Sequence, residues 1–341
     1  MIVNYIANKK ISFERVKEIL EDSARANHYT NNGPVKQKLE EKLHSLLNIS
    51  NQKKVLCVSS GTAALHVLML YYKGIEWVVP SFNFPSAMTN TKDVFAKDIN
   101  SKTFTLDPWD DQIEDDKPNL IGVIITNLFG ANCQIEPWVD SSEKNRRILI
   151  FDNASSPLTT INSINICNFG NASFGSLHHT KYLGFGEGGF IVCDEDKYDE
   201  ISSLTNFGFH NSRKYKTNSS NFKMSDVSAA FILAHIEAYD LDKHLYVQER
   251  FVDNLREIPE IKLLNYCHGT IYGNLPVIFS KPIDNKIFKD IGIEANKYYF
   301  PLQEFDKNSV DLYTRIVNFP LNDSLTEYQI DFIIKQIKNN L

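Results

Sequence analysis

Short, nearly uninterrupted apolar runs at residues 55–58, 77–79, 121–126 and 148–151 each give way to a polar or small-residue turn, and helical patterns stand between them. A strand that is apolar on successive residues has to bury both of its faces, which is the situation of a parallel sheet covered by helices. The alternation therefore predicts an α/β architecture with a mostly parallel sheet. In open sheets of this kind ligands sit beyond the carboxyl ends of the strands, so the turns that follow the runs are where chemistry is expected.

The first run ends in Ser59-Ser60-Gly61-Thr62, and Ala63, Ala64, Leu65, Val67, Leu68 and Leu70 continue as an apolar helix. Small residues, hydroxyls and a helix N-terminus together suit a phosphate. The same segment also reads as an ordinary capped turn. The second run leads into Pro80-Ser81-Phe82-Asn83-Phe84-Pro85 and a helix expected over 86–91, where an aromatic ring could stack on a planar ligand or simply join the core. The fourth run stops at Asp152-Asn153-Ala154-Ser155-Ser156. A carboxylate at the end of a buried parallel strand can hold a pyridine nitrogen protonated, although an aspartate also commonly opens a loop.

One lysine, Lys181, lies in the glycine-rich stretch Ser176-Leu177-His178-His179-Thr180-Lys181-Tyr182-Leu183-Gly184-Phe185-Gly186-Glu187-Gly188-Gly189, just before an apolar run at 190–193. A desolvated lysine forms a Schiff base with an aldehyde, and pyridoxal phosphate is the cofactor that uses such a residue. The alternative at this point is an exposed lysine in a flexible turn. The glycines do not make a dinucleotide fingerprint, because a strand and not a helix follows them.

Elsewhere, periodicity predicts helices over 12–26, with Ser12 as cap, and from Val35 to Leu47, after a turn-forming cluster at 29–35. Short strands are expected at 94–96 and 103–106, a solvated acidic surface segment at 107–116, and a strand at 189–193. A long polar loop at 201–221 contains Gly208, Arg213, Lys214 and the polar run 217–221; one long helix is expected at 224–246 and a terminal amphipathic helix at 325–337. With 341 residues and 43% hydrophobic content, two domains are expected, a large one over 1–240 and a small α+β one over 241–341. The net charge of −6 without a long basic cluster argues against a nucleic-acid partner. The five scattered cysteines fit neither a disulfide framework nor a metal cage; no metal is expected, and a reducing cytoplasm is. Residues 1–10 lack the pattern of a secretory leader, and the longest apolar run is too short to span a bilayer.

Gly33-Pro34-Val35, Ser60-Gly61-Thr62-Ala63-Ala64-Leu65, Val79-Pro80-Ser81-Phe82-Asn83-Phe84, Asp152-Asn153-Ala154, the Lys181 stretch, Asn221-Phe222-Lys223-Met224 and Tyr298-Tyr299-Phe300-Pro301-Leu302 resemble, in order, the DegT/DnrJ/EryC1/StrS family of sugar aminotransferases. The resemblance runs from about residue 29 to the C-terminus. It implies the aspartate-aminotransferase-like fold type I and pyridoxal 5′-phosphate as cofactor. Lys181 would bond the cofactor and later move protons between two carbons of the substrate adduct, while Asp152 would hold the pyridinium. Phe84 matches the stacking aromatic, and Gly61, Thr62 and Ser176 the phosphate donors. Asn221 matches a residue that reaches the phosphate of the neighbouring subunit, so a homodimer with shared sites is implied. His178 matches a supportive histidine.

The sequence departs from the family pattern where Ser155 replaces a glutamine expected near the cofactor's phenolic oxygen, and where Tyr298-Tyr299 replaces a His-Tyr pair. It is also shorter than most relatives, with the shortfall assigned to the C-terminal domain and the polar surface loops. A family branch that dehydrates its sugar has histidine in place of the lysine; Lys181 at the family's spacing disfavours it. The implied activity is transfer of an amino group from an amino acid, L-glutamate foremost, to a nucleotide-linked keto-deoxysugar such as dTDP-4-keto-6-deoxyglucose. The alternatives are dehydration or cyclitol amination on the same scaffold, and a regulatory sensor without turnover.

Overall fold

The computed structural model describes residues 2–9, 11–89, 93–110, 120–209, 215–216 and 218–341. In chain order they form α1 (Phe13–Ala26), α2 (Pro34–Leu46), β1 (Lys53–Val58), α3 (Gly61–Tyr71), β2 (Glu76–Pro80), β3 (Val94–Lys97), β4 (Ile121–Thr126), α4 (Ile135–Lys144), β5 (Ile148–Asp152), β6 (Thr160–Ile161), β7 (Ile164–Asn165), β8 (Ala172–Ser176), β9 (Gly189–Asp194) and α5 (Glu195–Leu204). The remainder comprises α6 (Asp226–Ala238), α7 (Leu241–Leu255), β10 (Ile261–Leu263), β11 (Leu275–Phe279), α8 (Lys286–Lys289), α9 (Lys307–Arg315), β12 (Ile316–Phe319) and α10 (Glu327–Asn339).

The main sheet has the order β1-β9-β8-β5-β4-β2-β3. Every pairing is parallel except those of β9, which runs against both β1 and β8. The carboxyl ends of β1, β2, β4, β5 and β8 therefore share one edge of the sheet, and the start of β9 lies there too. Alternate residues explain the uninterrupted apolar runs. Val123 and Ile125 of β4, and Leu149 and Phe151 of β5, join the core that contains Val35, Leu39 and Ala229 of α2 and α6. Ile124 and Ile150 join the opposite core with Ala64, Leu68 and Ile201 of α3 and α5. Both faces are thus covered by helices, as continuous burial requires.

The fully buried carboxylate of Asp226 ties α6 to α2, accepting from Ser23 Oγ and from the N–H groups of Val35 and Lys36 at 2.5, 3.0 and 3.0 Å. Gly33 is required beside it, since a Cβ there would lie 2.4 Å from Asp226 Oδ2. The antiparallel sheet β10-β11-β12 follows, and its buried Leu275 and Val277 belong to the same apolar cluster as Phe129 and Phe151 of the main body.

Several expectations are corrected. The helix placed over 224–246 is two helices that meet at Tyr239-Asp240, where Asp240 caps α7 by accepting from Lys243 N–H at 2.9 Å. Residues 103–106 form a turn and not a strand: Phe104 has φ 56° and its N–H donates to Asn100 O. The polar segment begins after Leu204, because 201–204 complete α5. The helix expected over 86–91 is a single 3-10 turn, Pro85–Met88. Residues 90–91, residues 111–116 of the acidic segment, and Arg213, Lys214 and Thr217 lie outside the described residues. Cys57, Cys133, Cys167 and Cys193 are buried, and all five cysteines are free. Among the described residues no helix is long and apolar enough to cross a membrane.

Candidate active site

At the shared strand edge α3 begins with Ser60 in extended conformation, its Oγ accepting from Ala63 N–H at 3.0 Å. The first N–H groups of a helix have no partner within it, so those of Gly61 and Thr62 are donors offered to a ligand. Neighbouring strands hold this turn tightly. A Cβ on Gly61 would approach Ser176 Cβ to 3.1 Å, and one on Gly189 would lie 2.4 Å from the Ser60 backbone. Ser176, at the end of β8, accepts from His178 N–H at 3.2 Å.

Asp152 ends β5 and is 8% exposed. Its Oδ1 accepts from Ala154 N–H at 2.9 Å, and Oδ2 lies 3.3 Å from Thr126 Oγ1. The Thr126 hydroxyl also lies 3.0 Å from Asn83 Oδ1, so its single proton is shared between two acceptors. Burial pushes the Asp152 carboxyl up to about 6, against the Ala154 hydrogen bond, the attraction of Lys181 and the Thr126 hydrogen bond. Burial lowers the Lys181 ammonium from its ordinary value, and Asp152 partly opposes this.

The loop carrying Lys181 is closed, not flexible. Leu177 N–H donates to Gly188 O and His179 N–H to Gly186 O, both at 2.8 Å, while Phe185 N–H donates to Leu177 O at 3.1 Å. Gly184 is obligatory, since a Cβ would lie 2.1 Å from His178 O. Lys181 is half-buried on the wall of the cleft, which removes the reading of an exposed lysine in a flexible turn. His178 stands at the rim, its Nε2 3.5 Å from Glu187 Oε1.

Phe84 is 53% exposed and ends the aromatic turn, its N–H donating to Asn83 Oδ1 at 2.7 Å. Its ring lies edge-on to Tyr299 at 5.9 Å, and Tyr299 stacks on Phe129 at 5.6 Å. Ser155 is buried; burial pushes the Tyr299 hydroxyl up to about 12, and the Ser155 side chain opposes that shift.

A cleft of about 380 Å³ brings together Gly61, Thr62, Phe84, Asp152, Ser155, Ser176 and Lys181, with His178, Tyr298 and Tyr299 also on its wall. Asn221 is not on that wall. It is exposed and pairs with Asn206 in an isolated bridge beside the end of β1. Asn83, Thr126 and Lys9 line the cleft without having been singled out from sequence. Asn83 and Thr126 offered a signal, since each stands in a turn or strand end that the apolar runs had marked.

The donor set fits pyridoxal phosphate. Helix N–H groups and hydroxyls suit its phosphate, and an exposed aromatic edge suits its ring. An amine with weakened proton affinity suits its aldehyde. Asp152, under-supplied with donors and raised by burial, is an anion in want of a cation, which a protonated ring nitrogen provides. Asn83 Nδ2, buried without a partner, is a further polar group left over on the same wall.

Comparison with known proteins agrees. The family model described as the DegT/DnrJ/EryC1/StrS aminotransferase family matches residues 10–338. The chain is 27% identical to a dTDP-4-amino-4,6-dideoxy-D-glucose transaminase of Shigella dysenteriae over 341 residues, covering 91% of each chain. It is 24% identical over 380 residues to the spore coat polysaccharide biosynthesis protein SpsC of Bacillus subtilis, covering 96% of this chain and 95% of that one. The fold is shared with a solved DegT DnrJ EryC1 StrS aminotransferase from Brucella abortus, at a TM-score of 0.82 and 21% identity over 96% of this chain and 95% of that chain. The protein therefore belongs to the DegT/DnrJ/EryC1/StrS aminotransferase family and is a sugar aminotransferase that depends on pyridoxal phosphate.

Proposed function

We propose that the enzyme moves an amino group from L-glutamate to a nucleotide-linked keto-deoxysugar, of which dTDP-4-keto-6-deoxyglucose is the model substrate, and that it works in the cytoplasm as a homodimer. The similarity to a dTDP-amino-sugar transaminase supports the substrate class, and the similarity to SpsC supports a place in surface polysaccharide synthesis; lipopolysaccharide O-antigen is the proposed destination of the product. The observation that carries the reading is one cleft holding an amine of weakened proton affinity and a buried carboxyl at the carboxyl edge of the sheet.

When bound, pyridoxal phosphate supplies an aldehyde for the amine and a ring that takes up an electron pair from the substrate carbon. In this reading the first turn of α3 and Ser176 hold the phosphate, and Phe84 packs on the ring. Asp152 accepts the ring N–H and so keeps that nitrogen cationic. Lys181, whose proton affinity burial lowers, would bond the aldehyde; once displaced by the incoming amine, its Nζ would take the proton from the carbon that carries the amino group and deliver it to the former aldehyde carbon on the other side of the imine nitrogen.

Single-turnover spectra test the reading. Adding L-glutamate to the holoenzyme should convert the bound cofactor from its aldehyde to its amine spectrum, and a nucleotide-linked keto-deoxysugar should then restore the first. Absence of a response to any amino acid, or restoration only by 2-keto acids, would contradict the assignment.

A further inference from the structure

The segment before α1 connects two distant parts of the molecule. Val3 pairs with Ile293, Val3 N–H donating to Gly292 O at 2.8 Å and Glu294 N–H to Val3 O at 3.0 Å. Tyr5 N–H donates to Glu294 Oε2 at 2.8 Å, and the Tyr5 ring packs edge-on to Tyr298 at 5.9 Å. Four residues on, Lys9 reaches into the cleft and its Nζ lies 2.7 Å from Lys181 O, 3.4 Å from Tyr182 O and 3.1 Å from His235 Nε2. His235 Nε2 also lies 2.7 Å from Tyr182 O, so its N–H donates there, and the acceptors that face the ammonium are the two carbonyl oxygens. Burial holds the His235 ring near 4, so at neutral pH it is uncharged and does not repel the ammonium.

We propose that Lys9 is a positioning residue for Lys181: its charge-assisted hydrogen bond fixes the backbone carbonyl at 181, beside the carbonyl at 182 that His235 holds, and with it the direction in which the Lys181 side chain enters the cleft. Lys181 O is otherwise held only within its own tight turn, by Gly184 N–H at 2.9 Å. The short Lys9 hydrogen bond goes to the backbone of the loop that carries Lys181. A hydrogen bond from a charged donor is strong enough for this role. A displacement of the reacting nitrogen by about 1 Å slows bond formation by roughly a hundredfold.

The inference rests on Lys181 being the residue that bonds the cofactor, and the test separates the two claims. Cofactor-free protein is mixed with saturating pyridoxal phosphate, and the visible band that forms as the amine adds to the aldehyde and water leaves is followed in time. In parallel, the affinity for pyridoxine 5′-phosphate is measured; this analogue has the phosphate and ring but no aldehyde. For Lys9→Met the rate of band formation should fall on the order of ten- to a hundredfold. The analogue's affinity should change by less than about twofold, and Lys9→Arg should recover part of the rate. Should the methionine variant not fold, Lys9→Gln, which keeps a neutral donor, gives the same comparison with a smaller loss. Unchanged band formation in Lys9→Met, or in Lys9→Gln where that variant is used, overturns the proposal. So does an equal loss of analogue affinity, because Lys9 would then shape the whole pocket. Failure of the wild-type protein to form the band, by contrast, removes Lys181 from its proposed role.

Discussion

Asp152 is costly to the protein without a ring nitrogen beside it and useful with one. Its carboxyl is pushed by burial from 3.8 to about 6. The folded chain therefore binds this proton more tightly than the unfolded chain, and in the cofactor-free protein stability falls as pH rises from about 4 to about 6. The full penalty is on the order of 3 kcal/mol at ~1.4 kcal/mol per tenfold in proton affinity. In urea unfolding of cofactor-free protein, Asp152→Asn should be more stable than wild type near pH 8 and equal to it near pH 4; lower stability near pH 8 would contradict the account. The same substitution should reduce turnover by about a hundredfold or more while changing cofactor affinity far less, because the phosphate contacts persist and only the partner of the ring nitrogen is lost. Steady-state rates and equilibrium binding measured on one preparation check this. Asp152, Gly61 and Thr62 were legible because each follows an apolar run, and Lys181 because it stands in a glycine-rich stretch just before one. Thr126 and Asn83 were not singled out, since a threonine ending a strand and an asparagine in a proline turn acquire meaning only once Asp152 is beside them. Lys9 precedes the first helix in a stretch without periodicity, and nothing local announces its contact with residue 181.

β8 and β9 do for the phosphate turn what a single residue cannot. Val58 and Ser176 both pair with Gly189, so three strands converge on one glycine, against which the Ser60 backbone packs. Gly189→Ala would insert a methyl group 2.4 Å from Ser60 and displace the start of α3. Thermal or urea melts should show a loss of roughly 1–3 kcal/mol. Cofactor affinity should weaken by about tenfold or more, as the helix N–H groups leave the phosphate. A variant with unaltered affinity would show that the turn is held by other means. β8 itself escaped the sequence reading. Ala172–Ser176 is built of small and polar residues around Phe174, and Gly175 is needed because the Phe190 ring lies 2.3 Å from where its Cβ would be. Such a strand is specified by its neighbours and not by its own apolar content. The break between α6 and α7 was legible in principle, because Asp240 before an apolar residue is a capping signal. The strong apolar character of α6, continued by the apolar stripe of the amphipathic α7, masked it.

The protein presents most of the proposed machinery in one cleft and leaves Asn221 outside it, exposed beside the end of β1. This placement supports the proposal that Asn221 serves the site of a second copy; the division into a large unit over 1–240 and a small one over 241–341 is proposed separately. Isologous pairing would set each Asn221 against its partner's phosphate turn. Lys181→Ala and Asn221→Ala chains, each impaired alone, should regain activity when unfolded and refolded together. Heterodimers make up about half of a random mixture and each has one intact site, so recovery near a quarter of wild type is expected. No recovery in proven heterodimers would show that Asn221 acts within its own chain or not at all. The central claim, that the amine at the carboxyl edge of the sheet carries the cofactor, is tested most directly by borohydride reduction of the holoenzyme followed by peptide mapping. The account predicts stoichiometric covalent cofactor on the peptide containing Lys181 and none in Lys181→Ala; label on another lysine, or none on wild-type protein saturated with pyridoxal phosphate, would contradict it.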